Sequence, residues 1–593
     1  MAAHVTDYPR PQLVRKDWTD LNGEWDFAFD DRNAGEAEGW YSSFPGKTLR
    51  IQVPFTCETE RSGIHDETPH EHVWYCRKFT AARHAGHRCI LHFEGCDYIT
   101  SVWVNGRKAG THTGGYERFS FDITLLLKDG ENILTVRADD SFSTEQPRGK
   151  QRWEPESFAC WYVQSTGIWK TVWLEEVGDI HIGSLYLTPK LAEQTLAIAC
   201  CIDGADLDAP CLLEADCSFA GIPVSHSVTS VQPGTTKLEI SVLSPKVTPF
   251  GIKTWSPADP ALYDLTLRVT RGGEVLDEAA SYFGMREIRI DNGVVLLNGS
   301  PLYQRLILDQ GYWKGSGLTP PDEAALITDI DRIHALGFNG LRKHQKIEDE
   351  RFLYWCDVKG MLVWSEAPAA YQFSAEAVSA FTAEWLDIVK QNYSHPCIIT
   401  WTPFNESWGV GQIETDAMQQ HFSESIYHLT HAVDPTRPVI CNDGWEHTVS
   451  DIVTLHDYTE KGEDLTKRYA DNKEAIMRTE LYHCDGRSAF ANGFSYRGQP
   501  VILSEYGGIA FAGGKDGAWG YGNTVRNEAD FLSRYDAITT AIKELPWVCG
   551  YCYTQVSDVQ QEINGLLSED RSFKVDPEKI REINERPVTG RFI

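Results

Sequence analysis

Ile398-Ile399-Thr400-Trp401-Thr402-Pro403-Phe404-Asn405-Glu406-Ser407-Trp408 is an apolar run that breaks at a glutamate, and Pro500-Val501-Ile502-Leu503-Ser504-Glu505-Tyr506-Gly507-Gly508 is a second. Each reads as a buried strand that stops at a carboxylate, with a loop or helix signal directly after it. In a (β/α)8 barrel the carboxyl ends of all strands open onto one face, so glutamates ending two different strands can converge across one cavity. Facing carboxylates are what hydrolysis of a glycosidic bond requires: one protonates the leaving oxygen while the other attacks or activates water.

Around these runs, from about residue 288, strand and helix signals alternate, the mark of a parallel sheet. The strand candidates in order are Leu302–Leu308, Gly337–Arg342, Met361–Trp364, Ile398–Phe404, Pro438–Asn442, Ile452–Asp457, Pro500–Glu505 and Val548–Tyr553. Asp322 to Leu336 carries apolar residues at helical spacing, and Asp349 to Lys359 ends at Gly360 as a C-cap should. Ala383 to Asn392, Met418 to Ala432 and Asn527 to Lys543 continue the helical series. Eight strands suit a closed barrel better than an open doubly wound sheet.

Upstream the texture is all β. Trp74–Phe79 and Cys89–Glu94 are strand candidates, Ser101-Val102-Trp103-Val104 runs into the hairpin signal Asn105-Gly106, and Phe119 to Ile123 alternates cleanly ahead of Asn132–Ala138. Short strands at such spacing predict a sandwich or jelly roll. Leu196–Ile202, Leu212–Phe219, Lys237–Val242 and Tyr263–Val269 predict a second sandwich of immunoglobulin size. The expected architecture is multidomain: an N-terminal jelly-roll β-sandwich over residues 1–180, an immunoglobulin-like β-sandwich over 181–287, and a C-terminal (β/α)8 TIM barrel over 288–593.

Composition narrows the partners. A net charge of −30 over 593 residues argues against nucleic acid or an anionic membrane surface, and against a strongly anionic polymer unless a local basic pocket overrides the global field. No run of about 18 apolar residues predicts a membrane span. The 15 cysteines are an odd number. The one C-x-x-C, Cys549 to Cys552, lies in a strand-like run where residues three apart face opposite ways, so free thiols in a reducing compartment are expected. The N-terminus lacks the basic-then-apolar layout of a signal peptide, which makes the cytoplasm the expected location. The 19 tryptophans divide between core packing and sugar-stacking platforms.

The chain resembles glycoside hydrolase family 2, the family of β-galactosidases, β-glucuronidases and β-mannosidases. The likeness rests on Leu21-Asn22-Gly23-Glu24-Trp25-Asp26-Phe27, Trp103-Val104-Asn105-Gly106 with Gly114-Gly115-Tyr116, and Ser165 to Glu175 in the first segment. Tyr282 to Ile288 and Leu297-Asn298-Gly299-Ser300-Pro301 continue it into the barrel. The resemblance implies Glu406 as general acid/base, Glu505 as nucleophile and Asn405 as donor to the sugar 2-hydroxyl. Glu406 lies among Trp401, Phe404 and Trp408, so an apolar setting and a raised pKa are expected, with Trp408 also facing substrate. Arg342 and His344, ending the second strand, are candidates to anchor hydroxyls, orient Glu505, or form a plain ion pair. Glu366 at the third strand end reads as substrate-facing or structural. His456 rather than Tyr458 is expected to hydrogen-bond the nucleophile. Trp519, in the glycine-rich loop past Glu505, is expected in the pocket wall, and Tyr553 and Gln555 at the pocket floor.

Departures from the family fall on substrate choice. Arg305 to Trp313 replaces a G-x-N-x-H type segment, and Arg342-Lys343-His344-Gln345 replaces R-x-S-H. Glu562 and Asn564 stand where β-glucuronidases have N-x-K, so a uronate carboxylate would be buried unpaired, and that activity is disfavoured. The expectation is a retaining exo-glycosidase of β-galactosidase type acting on an oligosaccharide or glycoside. The alternative is an α-L-arabinofuranosidase or β-D-galactofuranosidase, with β-mannosidase or a non-catalytic carbohydrate-binding relative behind it. Two carboxylates need no cofactor, and with no H-E-x-x-H no catalytic metal is expected; some relatives bind Mg²⁺ or Na⁺ near the pocket. Homo-oligomerisation is left open.

Overall fold

A computed structural model describes residues 8–205, 209–481, 486–511 and 517–588. The first sandwich packs a four-stranded sheet against a six-stranded one. Its core is aromatic and aliphatic, with Trp25, Phe27, Tyr75, Leu91, Phe93, Val104 and Val136 all buried. Asn105 (φ 53°) and Gly106 (φ 75°) make the tight turn between Ile99–Val104 and Arg107–Thr113, as the sequence predicts. The second sandwich joins a three-stranded and a four-stranded sheet, and Thr195–Asp203 buries every second side chain between them. The N-terminal segment ties the two together: Arg15 pairs with Glu175 of the first (2.9 Å) and Asp277 of the second (2.8 Å).

The C-terminal part is a curled parallel sheet in the order Ile398–Thr402, Leu362–Glu366, Gly340–Lys343, Gln304–Asp309, Val548–Thr554, Val501–Gly507, Val453–Asp457. These are seven strands, and the expected fifth, Pro438–Asn442, is not among them. That segment lies between the two ends of the sheet. It bridges to the fourth strand at Trp401 and Val439 and at Asn405 and Asp443. On its other side the ladder is replaced by side chains: Val439 N–H donates to Asp451 Oδ2 (2.7 Å) and Cys441 N–H to Ser450 Oγ (2.9 Å). The barrel therefore closes through an irregular fifth position, and the C-terminal strand ends still open onto one face.

Helices Glu323–Ala335, Glu350–Lys359, Ala417–Val433 and Glu528–Lys543 surround the sheet, each N-capped by an Asp or Asn side chain. Ala375–Gln391 starts eight residues earlier than its apolar pattern suggests, because Ser374 caps it by accepting from Ala377 N–H. Among the described residues no helix is long and apolar enough to cross a membrane, and the fourteen described cysteines are free.

Candidate active site

The two glutamates meet. Glu406 follows the fourth strand and Glu505 lies within the strand Val501–Gly507, and each places a carboxylate oxygen within 4.8 Å of the other and of a His456 ring nitrogen. The backbone at Glu406 (φ 51°) and Ser407 (φ 61°) is left-handed, a costly pair of conformations for non-glycine residues. They are held by Glu406 N–H donating to Asp443 O (2.9 Å) and Ser407 N–H to Asn442 Oδ1 (2.9 Å). The turn aims Glu406 into the barrel mouth, where its side chain stays 20% exposed against 6% for Glu505.

Arg342 organises the floor. Its Nε donates to Glu366 (2.6 Å), Nη1 to Glu505 (2.7 Å), and Nη2 to Asn405 Oδ1 (2.6 Å), with Asp443 at 3.0 Å. Fully buried and saturated by carboxylates, it orients Glu505 and touches no solvent-accessible space. Glu366 is equally buried, bound to Arg342 and 3.0 Å from His344 Nδ1, which makes it structural rather than substrate-facing. Burial pushes its carboxyl up to about 7, against the pull of Arg342. Burial, with the charges of Lys150 and Arg342, holds His344 well below the usual imidazole range. Asn405 has its oxygen fixed by Arg342 and its amide Nδ2 buried without a partner, an unused donor beside Glu406.

Three expectations are corrected. Tyr458, not His456, donates to the nucleophile candidate: its hydroxyl bonds Glu505 Oε2 and lies 3.1 Å from Thr554 Oγ1. His456 instead joins the other glutamate, with Nδ1 2.9 Å from Glu406 Oε1 and Nε2 3.1 Å from Asp443 Oδ2. Residues 456 and 458 both point inward, and the longer tyrosine reaches across to the next strand. The second correction concerns charge. Burial would raise the Glu406 carboxyl, but the hydrogen bond and charge of His456, helped by Lys150 and Arg342, bring it below the usual range. Burial works against charge on His456 too, yet Glu505 and Asp443 push it up to about 10. Both shifts favour the imidazole over the carboxylate as the seat of the proton.

The third correction is one of strand parity. Tyr553 points away from the pocket, its ring edge-to-face with Tyr506 (5.5 Å) and Tyr535 (5.0 Å) in the layer under helix Glu528–Lys543. Its neighbour Thr554 faces the site instead. Gln555 is buried beyond the strand end and donates to Asn564 Oδ1 (2.7 Å). Trp519 sits at the seam with the first sandwich, donating to Ala159 O (2.8 Å), while Tyr521 stacks on Tyr458.

The mouth is walled by the first sandwich. Trp161 packs edge-to-face on Trp408 (5.3 Å) and Tyr371 (5.5 Å), Tyr162 donates to Glu562, and Tyr371 donates to Gly149 O (2.6 Å). Trp408 is thus in the wall, with its Nε1 buried and unpartnered. Asp443, Thr554, Tyr521 and the wall residues Trp161, Tyr162 and Tyr371 escaped the sequence reading, which weighs Tyr458 only as second choice to His456 and expects a sandwich wall without naming its residues. Asp443 could have been found as a carboxylate at the fifth barrel position; nothing local marks the others.

Residues 18–174 match the sugar binding domain of glycosyl hydrolases family 2, residues 180–286 a second domain of that family, and residues 288–586 its TIM barrel domain. The chain belongs to glycosyl hydrolase family 2. This family 2 chain is 29% identical over 376 residues to a putative beta-glucuronidase from Formosa agariphila, covering 61% of this chain and 44% of that one. It is 27% identical over 438 residues to a beta-galactosidase from Thermoanaerobacter pseudethanolicus, covering 71% and 53%. It therefore spans about half the length of these relatives. The structure of Bifidobacterium dentium beta-glucuronidase complexed with coumarin-3-O-glucuronide superposes with a TM-score of 0.77 at 20% identity, over 98% of this chain and 99% of that one, a likeness of fold.

Proposed function

We propose that this protein is a retaining exo-glycosidase that releases a terminal sugar by double displacement, with Glu505 as nucleophile and Glu406 as acid/base. The observation that carries the reading is the approach of the two carboxylates to within 4.8 Å. Retaining enzymes hold theirs about 5–5.5 Å apart, whereas inverting ones leave room for a water between them. Glu505, held by Arg342 and Tyr458, attacks the anomeric carbon. As the new C–O bond forms, Glu505 loses the charge that holds a proton on His456. That proton then passes along the 2.9 Å hydrogen bond to Glu406 and on to the departing oxygen. In the second half Glu406 takes a proton from water, which attacks the same carbon and frees Glu505.

The sandwich wall across one side of the mouth favours a pocket for one terminal sugar over an open groove. Relatives named beta-galactosidase and beta-glucuronidase support a β-linked pyranoside over the furanoside alternative. Free thiols throughout the described chain fit a reducing compartment. Incubation with 2-fluoro glycosides bearing a good leaving group, followed by peptide mass spectrometry, tests the assignment. A covalent adduct on Glu505 is the expected result; an adduct on any other residue refutes it.

A further inference from the structure

Among the described residues, most buried cations on the catalytic side of the barrel are paired with carboxylates; Lys170 instead donates to the carbonyls of Tyr116 (3.1 Å) and Glu348 (3.4 Å), and Lys150 has neither kind of partner. Arg342 is matched by Glu366, Asp443 and Glu505, Lys343 by Asp309 and Glu348, Lys346 by Glu348, and His456 by Glu406 and Asp443. Lys150 is 6% exposed, yet its ammonium bonds the Cys160 thiol, 3.3 Å away, and lies over the Trp161 ring (5.6 Å to its centroid), with no carboxylate within ion-pair distance among the described residues. An ammonium has three donors, and a buried one left with a thiol and a ring face but no carboxylate is costly unless a ligand completes it.

The position of Lys150 says where that ligand sits. Its carbonyl accepts from Tyr162 N–H (2.9 Å), and the Tyr162 hydroxyl donates to Glu562 beyond the last barrel strand. On the other side, Tyr371 bridges Gly149 O and Gln345 Oε1, leaving Gln345 Nε2 buried and unpartnered. Asn405 Nδ2 and Trp408 Nε1, flanking Glu406, are also buried donors without partners. Burial opposes charge on Lys150, but Cys160, Tyr371, Glu562 and Glu406 around it hold the ammonium protonated. The mouth is rich in unfilled donors, and a carboxylate is a group that only accepts.

We propose that Lys150, reaching in from the first sandwich, binds a carboxylate carried by the sugar held against Glu406 and Glu505, making the enzyme selective for uronides. This deepens the proposed hydrolase and rests on it. It also reverses the expectation drawn from Glu562 and Asn564, because the cation comes from the facing domain rather than from the barrel.

The test compares kcat/KM on para-nitrophenyl β-D-glucuronide and β-D-galacturonide with the matching glucoside and galactoside, in the wild type and in Lys150→Met and Lys150→Arg. The wild type should favour the uronide of at least one pair by about 10²-fold or more, the range expected when a buried charge loses its partner. Lys150→Met should collapse that ratio and Lys150→Arg should restore most of it. The ratio does not depend on how much of a variant folds. Equal losses on uronide and neutral sugar would show Lys150 acting as a counter-ion of Glu406 and overturn the proposal, as would a wild type that prefers neutral sugars. Selectivity appearing only with 4-carboxyphenyl glycosides of neutral sugars would put the carboxylate on the leaving group and overturn it as well. In each of those cases turnover persists and the hydrolase reading stands; no turnover of any glycoside takes down both.

Discussion

At the scale of single residues, the division of labour between Tyr458 and His456 can be separated by experiment. The Tyr458 hydroxyl bonds Glu505, so Tyr458→Phe removes a hydrogen bond to the carboxylate proposed as nucleophile, a change worth about 1.5–3 kcal/mol. A fall in kcat/KM of roughly 10–10² is expected, with 2-fluoro labelling of Glu505 slowed in proportion; unchanged labelling would place Tyr458 outside the reaction. His456 predicts a pH effect. It is held protonated up to about 10 while its partner Glu406 lies below the usual carboxylate range. The pair thus carries one proton through neutral pH and loses it only as pH rises through about 10, so the basic limb of kcat/KM should lie far above neutrality. In His456→Asn the proton has only Glu406 to sit on, and the basic limb should fall by at least about 2 units. A pH profile that keeps its basic limb in that variant would show that His456 does not hold the catalytic proton.

At the scale of elements, the irregular fifth barrel position depends on Asp451. Its Oδ2 accepts from Val439 N–H (2.7 Å) and His431 Nε2 (2.8 Å), and its Oδ1 accepts from Tyr427 (2.7 Å). Asp451→Ala leaves a buried backbone N–H unpaired, at a cost on the order of 2 kcal/mol. It should lower the urea midpoint and, by loosening Asp443, reduce kcat; Asp451→Asn, which keeps one acceptor, should fall between. A midpoint identical to wild type would show that the segment is held otherwise. The same element marks where the sequence is legible. Apolar runs locate the other seven strands because ladder hydrogen bonds and burial on both faces demand them. Pro438 to Asn442 carries the same apolar signal, but side chains of Ser450 and Asp451 take over its bonds, and that substitution leaves no local periodic trace. Tyr553 was misplaced for a related reason: the strand is apolar on both faces, so parity could not be read from alternation, and only contacts with Tyr506 and Tyr535 reveal it.

At the scale of the whole molecule, the pocket is built between domains, and this is why half of it is silent in the sequence. Glu406 and Glu505 announce themselves at strand ends, whereas Trp161 and Lys150 lie more than two hundred residues upstream in a different fold. Trp161 is 7% exposed and closes one side of the mouth, edge-to-face on Trp408 at 82° and on Tyr371 at 80°. Its Nε1 is buried without a hydrogen-bond partner, so on the proposed reading it walls the sugar in rather than moving charge. Trp161→Ala should therefore remove binding shared by ground state and transition state, raising KM by about tenfold or more while kcat changes only a few-fold. Glu505 should still be labelled to completion by a saturating 2-fluoro glycoside. A collapse of kcat at unchanged KM would mean instead that the sandwich sets the alignment of Glu406 itself, through Trp408, and that the barrel and its first domain form one catalytic unit rather than an engine and a wall.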